Sequence, residues 1–268
     1  MTTTKSTGDE APPSTPRAKR PKITAHDVME YMAPEYGPAE WQPRYSPAEE
    51  LVYTILSQHT SDLNSERAFL NLMKTFKSVE GVADASVEEI EKAILRGGLA
   101  KQKAPRIKDI LTQLKAELGN FDLSFLAEMP LEDAKSWLKR LNGIGPKTAA
   151  IILCFSLGMP AMPVDTHIFR VSQRLGLIGP KINAERAHDI LEPMVAPEEV
   201  FPFHMYLIRH GRQICRAQRP KCSECLMGWG CPAKRVMERA ATNAAKQKAR
   251  KRPAAKKKSP KSTSKERI

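Results

Sequence analysis

The 268-residue sequence has no long apolar run. Its longest uncharged, mainly apolar stretch is Ala149–Val164, which is broken by Gly158, Pro160 and Pro163. That is shorter than a bilayer span, so no transmembrane helix is expected. The N-terminus has no apolar segment of the kind a secretory signal needs, so none is expected there either. Sustained alternation of apolar and polar residues is also missing. The core therefore reads as all-α, without strands. Cysteine is scarce, and four of the five fall between positions 215 and 231. Without a signal this points to a reducing compartment, where clustered cysteines hold metal more often than they form disulfides. Acidic residues are outnumbered, giving a formal net charge of +13. The excess sits at the ends: residues 1–25 carry +3 and residues 246–268 carry +10, which leaves 26–245 formally neutral. A uniformly basic nucleic-acid binder is thereby excluded. Long-range attraction to a polyanion would come from the two ends.

With 41% hydrophobic residues, the centre can build a sizeable core. Residues 1–23 are rich in Thr, Pro, Lys and Ser and are expected to form a disordered basic arm. From Thr24 the pattern is helical. Ser46-Pro47-Ala48-Glu49 places an N-cap, a proline at the first helical position and a glutamate that closes a capping box. Ser86-Val87-Glu88-Glu89 repeats the box. Further helices are expected near 62–76, 87–95, 103–118, 131–141, 147–157, 165–175, 184–195 and 199–211, with Gly97-Gly98, Gly119, Gly143 and Gly176 at the stops. Residues 236–268 are expected to be a disordered Lys/Arg-rich tail.

Three groups of residues carry chemistry. Cys215, Cys222, Cys225 and Cys231 are spaced C-x6-C-x2-C-x5-C. Four such thiols suit either a structural zinc or an iron–sulfur cluster. Zinc ribbons pair two short knuckles, whereas here only Cys222 and Cys225 form one. Cys154, in an apolar run, reads as a core residue. The second group is Leu141-Asn142-Gly143-Ile144-Gly145-Pro146-Lys147. Two glycines around one apolar residue, between two helices, let backbone N–H groups approach a phosphate at a helix N-terminus. An ordinary glycine-containing helix turn is the structural alternative. The third group is Val164-Asp165-Thr166-His167-Ile168-Phe169-Arg170. As plain structure, Asp165 is an N-cap and His167 a packed histidine. Lys147 would sit in a first helical turn, where a cation is mildly disfavoured; an amine nucleophile has to be neutral.

The order and rough spacing of these groups resemble the endonuclease III family, the DNA glycosylase/AP lyases of the helix-hairpin-helix superfamily. Leu207-Ile208-Arg209-His210-Gly211-Arg212 is similar to that family's approach to its cluster loop. Gly98-Leu99-Ala100-Lys101-Gln102-Lys103-Ala104 resembles its damage-probing loop. The likeness covers about residues 26–235. It implies two helical lobes with a DNA cleft between them. A six-helix barrel lobe with the hairpin would span 44–158. A cluster lobe of 159–235 would be joined by an N-terminal helix over 24–43. It also implies a [4Fe-4S] cluster on Cys215, Cys222, Cys225 and Cys231, and Lys147 and Asp165 as catalytic residues. Gly143, Ile144 and Gly145 would grip a DNA phosphate.

Ile55-Leu56-Ser57-Gln58-His59-Thr60-Ser61-Asp62 resembles the family's helix end that fills the gap left by a flipped base. Many members have Gln where this chain has His59, so either Gln58 or His59 would enter the duplex, beside Leu99. Pro146 stands where an Arg is often found. Arg216, Arg219 and Lys221, between two of the cysteines, read as phosphate contacts or as a solvated charged loop. The expected partner is double-stranded DNA with damaged bases or abasic sites. The expected function is removal of oxidised pyrimidines and strand cleavage by β-elimination, as a monomer without a membrane, at a nucleoid or in a nucleus. An alkylated-base or mismatch glycosylase, a non-catalytic hairpin module that only grips phosphate, and an electron carrier built on the cluster are the competing readings.

Overall fold

The computed structural model describes residues 21–251. Among the described residues every regular element is helical. The α-helices are α1 (Ala25–Tyr36), α2 (Pro47–Ser57), α3 (Asp62–Phe76), α4 (Val79–Asp84), α5 (Val87–Ile94), α6 (Ala100–Leu118), α7 (Leu131–Lys139), α8 (Pro146–Leu157), α9 (Thr166–Leu175), α10 (Ala184–Leu191), α11 (Val200–Gln213) and α12 (Pro232–Lys251). No helix among them is long and apolar enough to cross a membrane.

The start signals act as the residue types require. Ser46 and Ser86 accept from the backbone of Glu49 and Glu89, and both glutamates return the bond to the cap N–H. Thr24 and Asp27 form a third box at the start of α1. One element was not legible, and one begins earlier than expected. α4 is six residues long, too short to show a period. α6 begins at Ala100, ahead of the expected 103, directly after a left-handed Leu99.

The helices build two cores. One is made from α2–α8, around Leu51, Ile55, Phe69, Ile107 and Leu138. The other joins α1 to α9–α11, around Met32, Ile168, Val171, Phe203 and Leu207. The chain therefore starts in the second lobe, crosses to build the first, and returns. α8 serves both: Ile152 and Leu153 belong to the first core and Cys154 to the second. Trp41, in the crossing segment, donates from Nε1 to the Cys154 carbonyl at 2.8 Å. Beside the first turn of α8, next to Pro146 and Ala149, Lys135 of α7 pairs with Glu192 after α10 (2.5 Å), and Glu192 also accepts from the Met162 N–H (2.9 Å). Both ties set one lobe against the other.

Both ends depart from the expected disorder within the described residues. Ile23, placed at the end of the arm, is buried in the second core. The tail expected from 236 continues instead as α12 as far as Lys251. Its run of Ala, Glu, Lys, Arg and Gln is made of strong helix formers, and helix propensity here wins over low complexity. The rest of the arm and of the tail lies outside the described residues.

One buried charge is decisive for the first lobe. Glu50 is fully buried on α2. Arg44 forks onto both its carboxylate oxygens and lies over the Tyr53 ring, 4.4 Å from its centroid. Removing one partner of such a pair leaves the other charge uncompensated. Arg44→Met is expected to cost about 2–3 kcal/mol, discounted because Arg44 is partly exposed. Urea unfolding of the variant checks this.

Candidate active site and cysteine loop

A cleft of about 390 Å³ lies between the lobes. α2 contributes Tyr53, Thr54 and Ser57; α8 contributes Lys147, Ile151 and Phe155; α11 contributes His204, Ile208 and Arg212. Asp165 lines it as well. The structure thus brings Lys147 and Asp165 onto one cavity from different helices. Across the cleft mouth, Arg212 of α11 pairs with Asp62 at the start of α3 at 2.7 Å.

Lys147 is the second residue of α8 and is exposed. Asp165 is the N-cap of α9: its Oδ1 accepts from the Ile168 N–H at 2.7 Å. That fixes the carboxylate with a second oxygen left for other work. His204, almost fully buried, donates from Nδ1 to the Pro163 carbonyl (2.9 Å). Burial pushes its imidazole down to about 4. It is therefore uncharged near neutral pH and adds no cation beside Lys147.

The hairpin turn joins α7 to α8. Ile144 is buried and anchors it, with its N–H on the Leu141 carbonyl (3.0 Å). Gly143 has φ 79°. A Cβ there would lie 2.5 Å from the Arg106 guanidinium, which donates to the Gly143 carbonyl. The other arm of Arg106 donates to Gln58 Oε1 at 2.8 Å. This separates the two residues at the end of α2. Gln58 is half-buried and tied; His59 is exposed with φ 54°. Leu99 has the same φ of 54° and is 44% exposed. Left-handed backbone is rare for residues other than glycine and clusters at functional sites.

The four cysteines Cys215, Cys222, Cys225 and Cys231 line one cavity, away from the cleft. Among the described residues no three His, Cys, Asp or Glu side chains converge on a single-ion position. Burial pushes the Cys225 thiol up to about 11, and burial followed by the charges of Cys231 and Cys215 raises Cys222. Such a set does not ionise together unless a cationic centre compensates it. Two arginines of α9 hold the loop. Arg170 donates to the carbonyls of Cys215 (3.1 Å) and Gly211 (2.9 Å), and Arg174 to those of Arg216 (2.6 Å) and Ala217 (2.9 Å). Arg174 Nη1 also lies 3.5 Å from Cys215 Sγ. His210 Nε2 lies 3.5 Å from Cys225 Sγ, and its Nδ1 meets the Tyr36 hydroxyl at 3.0 Å. Arg216 and Arg219 are exposed, Arg219 with φ 48°, whereas Lys221 is paired with Glu224 at 3.0 Å. Arg106, Arg174 and His204 were not singled out in the sequence, and Arg170 stood there only as the last residue of the Asp165 motif, with no role of its own. The i, i+4 spacing of Arg170 and Arg174 could have marked those two; nothing in the pattern marked Arg106 or His204.

An all-α body of two lobes, with a glycine hairpin feeding an amine into the cleft between them, defines a helix-hairpin-helix protein that handles DNA. The comparisons agree. The sequence model of the HhH-GPD superfamily of base excision DNA repair proteins matches residues 52–197. Endonuclease III of Thermotoga maritima is 33% identical over 69% of this chain and 82% of its own. A putative DNA glycosylase of Arabidopsis thaliana is 38% identical over 62% of this chain, which spans 56% of that protein's length. A solved structure of endonuclease III in a non-covalent complex with DNA superposes with a TM-score of 0.69 at 26% identity, covering 81% of this chain and 99% of that one. The chain belongs to the HhH-GPD superfamily of base excision DNA repair proteins, and within it to the endonuclease III family.

Gly143→Ala is expected to strain the turn and displace Arg106, lowering stability by about 1–2 kcal/mol from the left-handed backbone alone. Chemical unfolding against the parent protein measures it.

Proposed function

We propose that this protein removes oxidised pyrimidines from double-stranded DNA and cuts the strand at the resulting abasic site. The base-excision glycosylase/AP lyase activity is that of its family; the lesion class and the residue roles are our reading. The observation that carries it is the meeting of Lys147 and Asp165 on one interlobe cleft, at the exit of a phosphate-gripping turn.

DNA lies across the cleft, kinked, with the damaged nucleotide turned out of the stack. The N–H groups from Gly143 to Gly145 hold a phosphate next to it. The neutral Lys147 amine attacks the sugar C1′, and the damaged base leaves with the bonding electrons. Loss of the amine proton and opening of the sugar ring give an imine. The imine acidifies the C2′ hydrogens. One is lost as a proton and the 3′ phosphate leaves with its electron pair, which breaks the strand. Water then hydrolyses the imine and frees Lys147. Asp165 stabilises positive charge developing at the sugar and relays protons. A hairpin that only gripped phosphate would need neither the amine nor the carboxylate, so the pair favours catalysis.

Cys215, Cys222, Cys225 and Cys231 fit the family's [4Fe-4S] cluster: four thiols on one cavity, two arginines on the loop's backbone, and burial that raises the Cys222 and Cys225 thiols as a site built for a compensating cation would. Such a cluster would pin the loop that carries Arg216 and Arg219, both exposed toward a phosphate backbone. His59 and Leu99 enter the duplex, while Gln58 stays on Arg106. One chain supplies both walls of the cleft and acts as a monomer, in a nucleoid or a nucleus.

Borohydride added during turnover should reduce the imine and leave protein bound to DNA. Lys147→Gln should abolish that adduct; a full yield would transfer the nucleophile to another amine. Asp165→Asn keeps an N-cap oxygen and should slow base release by about 100-fold or more. Metal analysis should find iron near four per chain. Colourless, fully active protein with stoichiometric zinc would overturn the cluster assignment.

A further inference from the structure

The first turns of α6 carry a buried lysine that the chemistry above does not use. Lys103 is 5% exposed. Its ammonium donates to the Leu56 carbonyl (2.6 Å), the Thr60 hydroxyl (2.6 Å) and the Gly97 carbonyl (3.3 Å). Thr60 passes its own hydroxyl proton on to the Gly97 carbonyl at 2.9 Å. No carboxylate pairs with Lys103 among the described residues. A buried cation among neutral acceptors is a costly way to fill space, and an apolar side chain would do that better. What the ammonium adds is three directed donors, spent on two turns about 40 residues apart in sequence.

Arg106 lies one helical turn on. It joins Gln58 at the end of α2 to Gly143 in the hairpin. Between them the two side chains fasten three turns to one helix: 56–60, 97–99 and 141–145. Each turn holds a left-handed residue beside its fastening, His59, Leu99 and Gly143 respectively. Such a conformation persists only where its surroundings hold it in place.

We propose that Lys103 and Arg106 are positioning residues that lock these three turns in one register. The side chains at 59 and 99 then enter a kinked DNA duplex at a fixed offset from the phosphate gripped at 143–145. This rests on the reading that His59 and Leu99 face the duplex. A nucleotide that still bears its base must be unstacked before it reaches the cleft, whereas an abasic one has no base to unstack. The brace therefore matters for the first substrate and little for the second.

The test compares full-length variants on two duplexes, one with a single thymine glycol and one with a preformed abasic site. Lys103→Met keeps the volume and removes the donors. It should slow single-turnover release of thymine glycol by about tenfold or more, as expected for losing bonds to a charged donor, and leave abasic-site cleavage within about twofold of the parent. Arg106→Lys cannot fork onto two acceptors; because it also holds the hairpin that grips phosphate on both substrates, it should slow both, with thymine glycol release falling further than abasic-site cleavage. Thr60→Val leaves Lys103 in place and should give a smaller split in the same direction, which decides the matter if Lys103→Met does not fold. A separate measurement uses 2-aminopurine opposite a tetrahydrofuran abasic analogue, where no chemistry occurs. The fluorescence rise on binding should fall in all three variants. Equal losses on both duplexes in folded variants, or no loss on either, would overturn the proposal. If the parent protein releases no thymine glycol, the lesion assignment fails, and the 2-aminopurine signal alone decides whether the brace exists.

Discussion

Everything in this molecule depends on α8 being packed from both sides. Its apolar residues divide between two cores, with Ile152 and Leu153 facing one and Cys154 the other. A helix held in that way cannot rotate or slide without disturbing both lobes, since close-packed interiors yield little. Its N-terminus carries Lys147 and its hairpin, and its Cys154 carbonyl accepts from Trp41 of the crossing segment. The position of the amine relative to Asp165 is therefore set by packing across the whole molecule. Lys135 with Glu192 on one side and Arg212 with Asp62 on the other make the same junction polar at its edges. The exposed pair at the cleft mouth is the weaker of the two, because solvent screens it.

Much of this was legible in the residues, for physical reasons that can be named. Ser46 and Ser86 start helices because cap and glutamate are three positions apart, a local geometry that letters record directly. The four cysteines and the hairpin glycines are equally local. What was hidden is whatever pairs a side chain with a distant backbone. Lys103 bonds to two carbonyls, and a carbonyl has no letter. Arg170 and Arg174 hold the cysteine loop in the same way. The Arg44–Glu50 pair is close in sequence, yet nothing in the pattern showed that Glu50 would be fully buried rather than on a wet face of α2. The low-complexity composition after residue 236 pointed to disorder, but helix propensity, with the first turns of α12 seated beside the cysteines, carries the helix as far as Lys251.

The two lobes divide their labour by the kind of order each has. The first lobe presents turns, and its polar groups fasten those turns to α6. The second presents a loop that has no regular structure between Cys215 and Cys225 and depends on arginines from α9. Surface loops are the usual carriers of binding residues because a rigid scaffold positions them. Here the scaffolds differ: a helical bundle holds one set, and side chains of α9 hold the other. Leu99 and Arg219, one on each lobe, are both left-handed.

The interlaced path of the chain has a consequence for its synthesis. α1 belongs to the second lobe and meets α11 through Tyr36 and His210, which are 174 residues apart. A ribosome adding 5–20 residues each second leaves Val28 and Met32 of α1 uncovered for roughly 10–35 s before their partners emerge. During that time the first lobe, whose core is continuous in sequence, can fold by itself. The nascent chain therefore holds a finished bundle preceded by an amphipathic helix, whose apolar stripe of Val28 and Met32 waits for α11 to cover it.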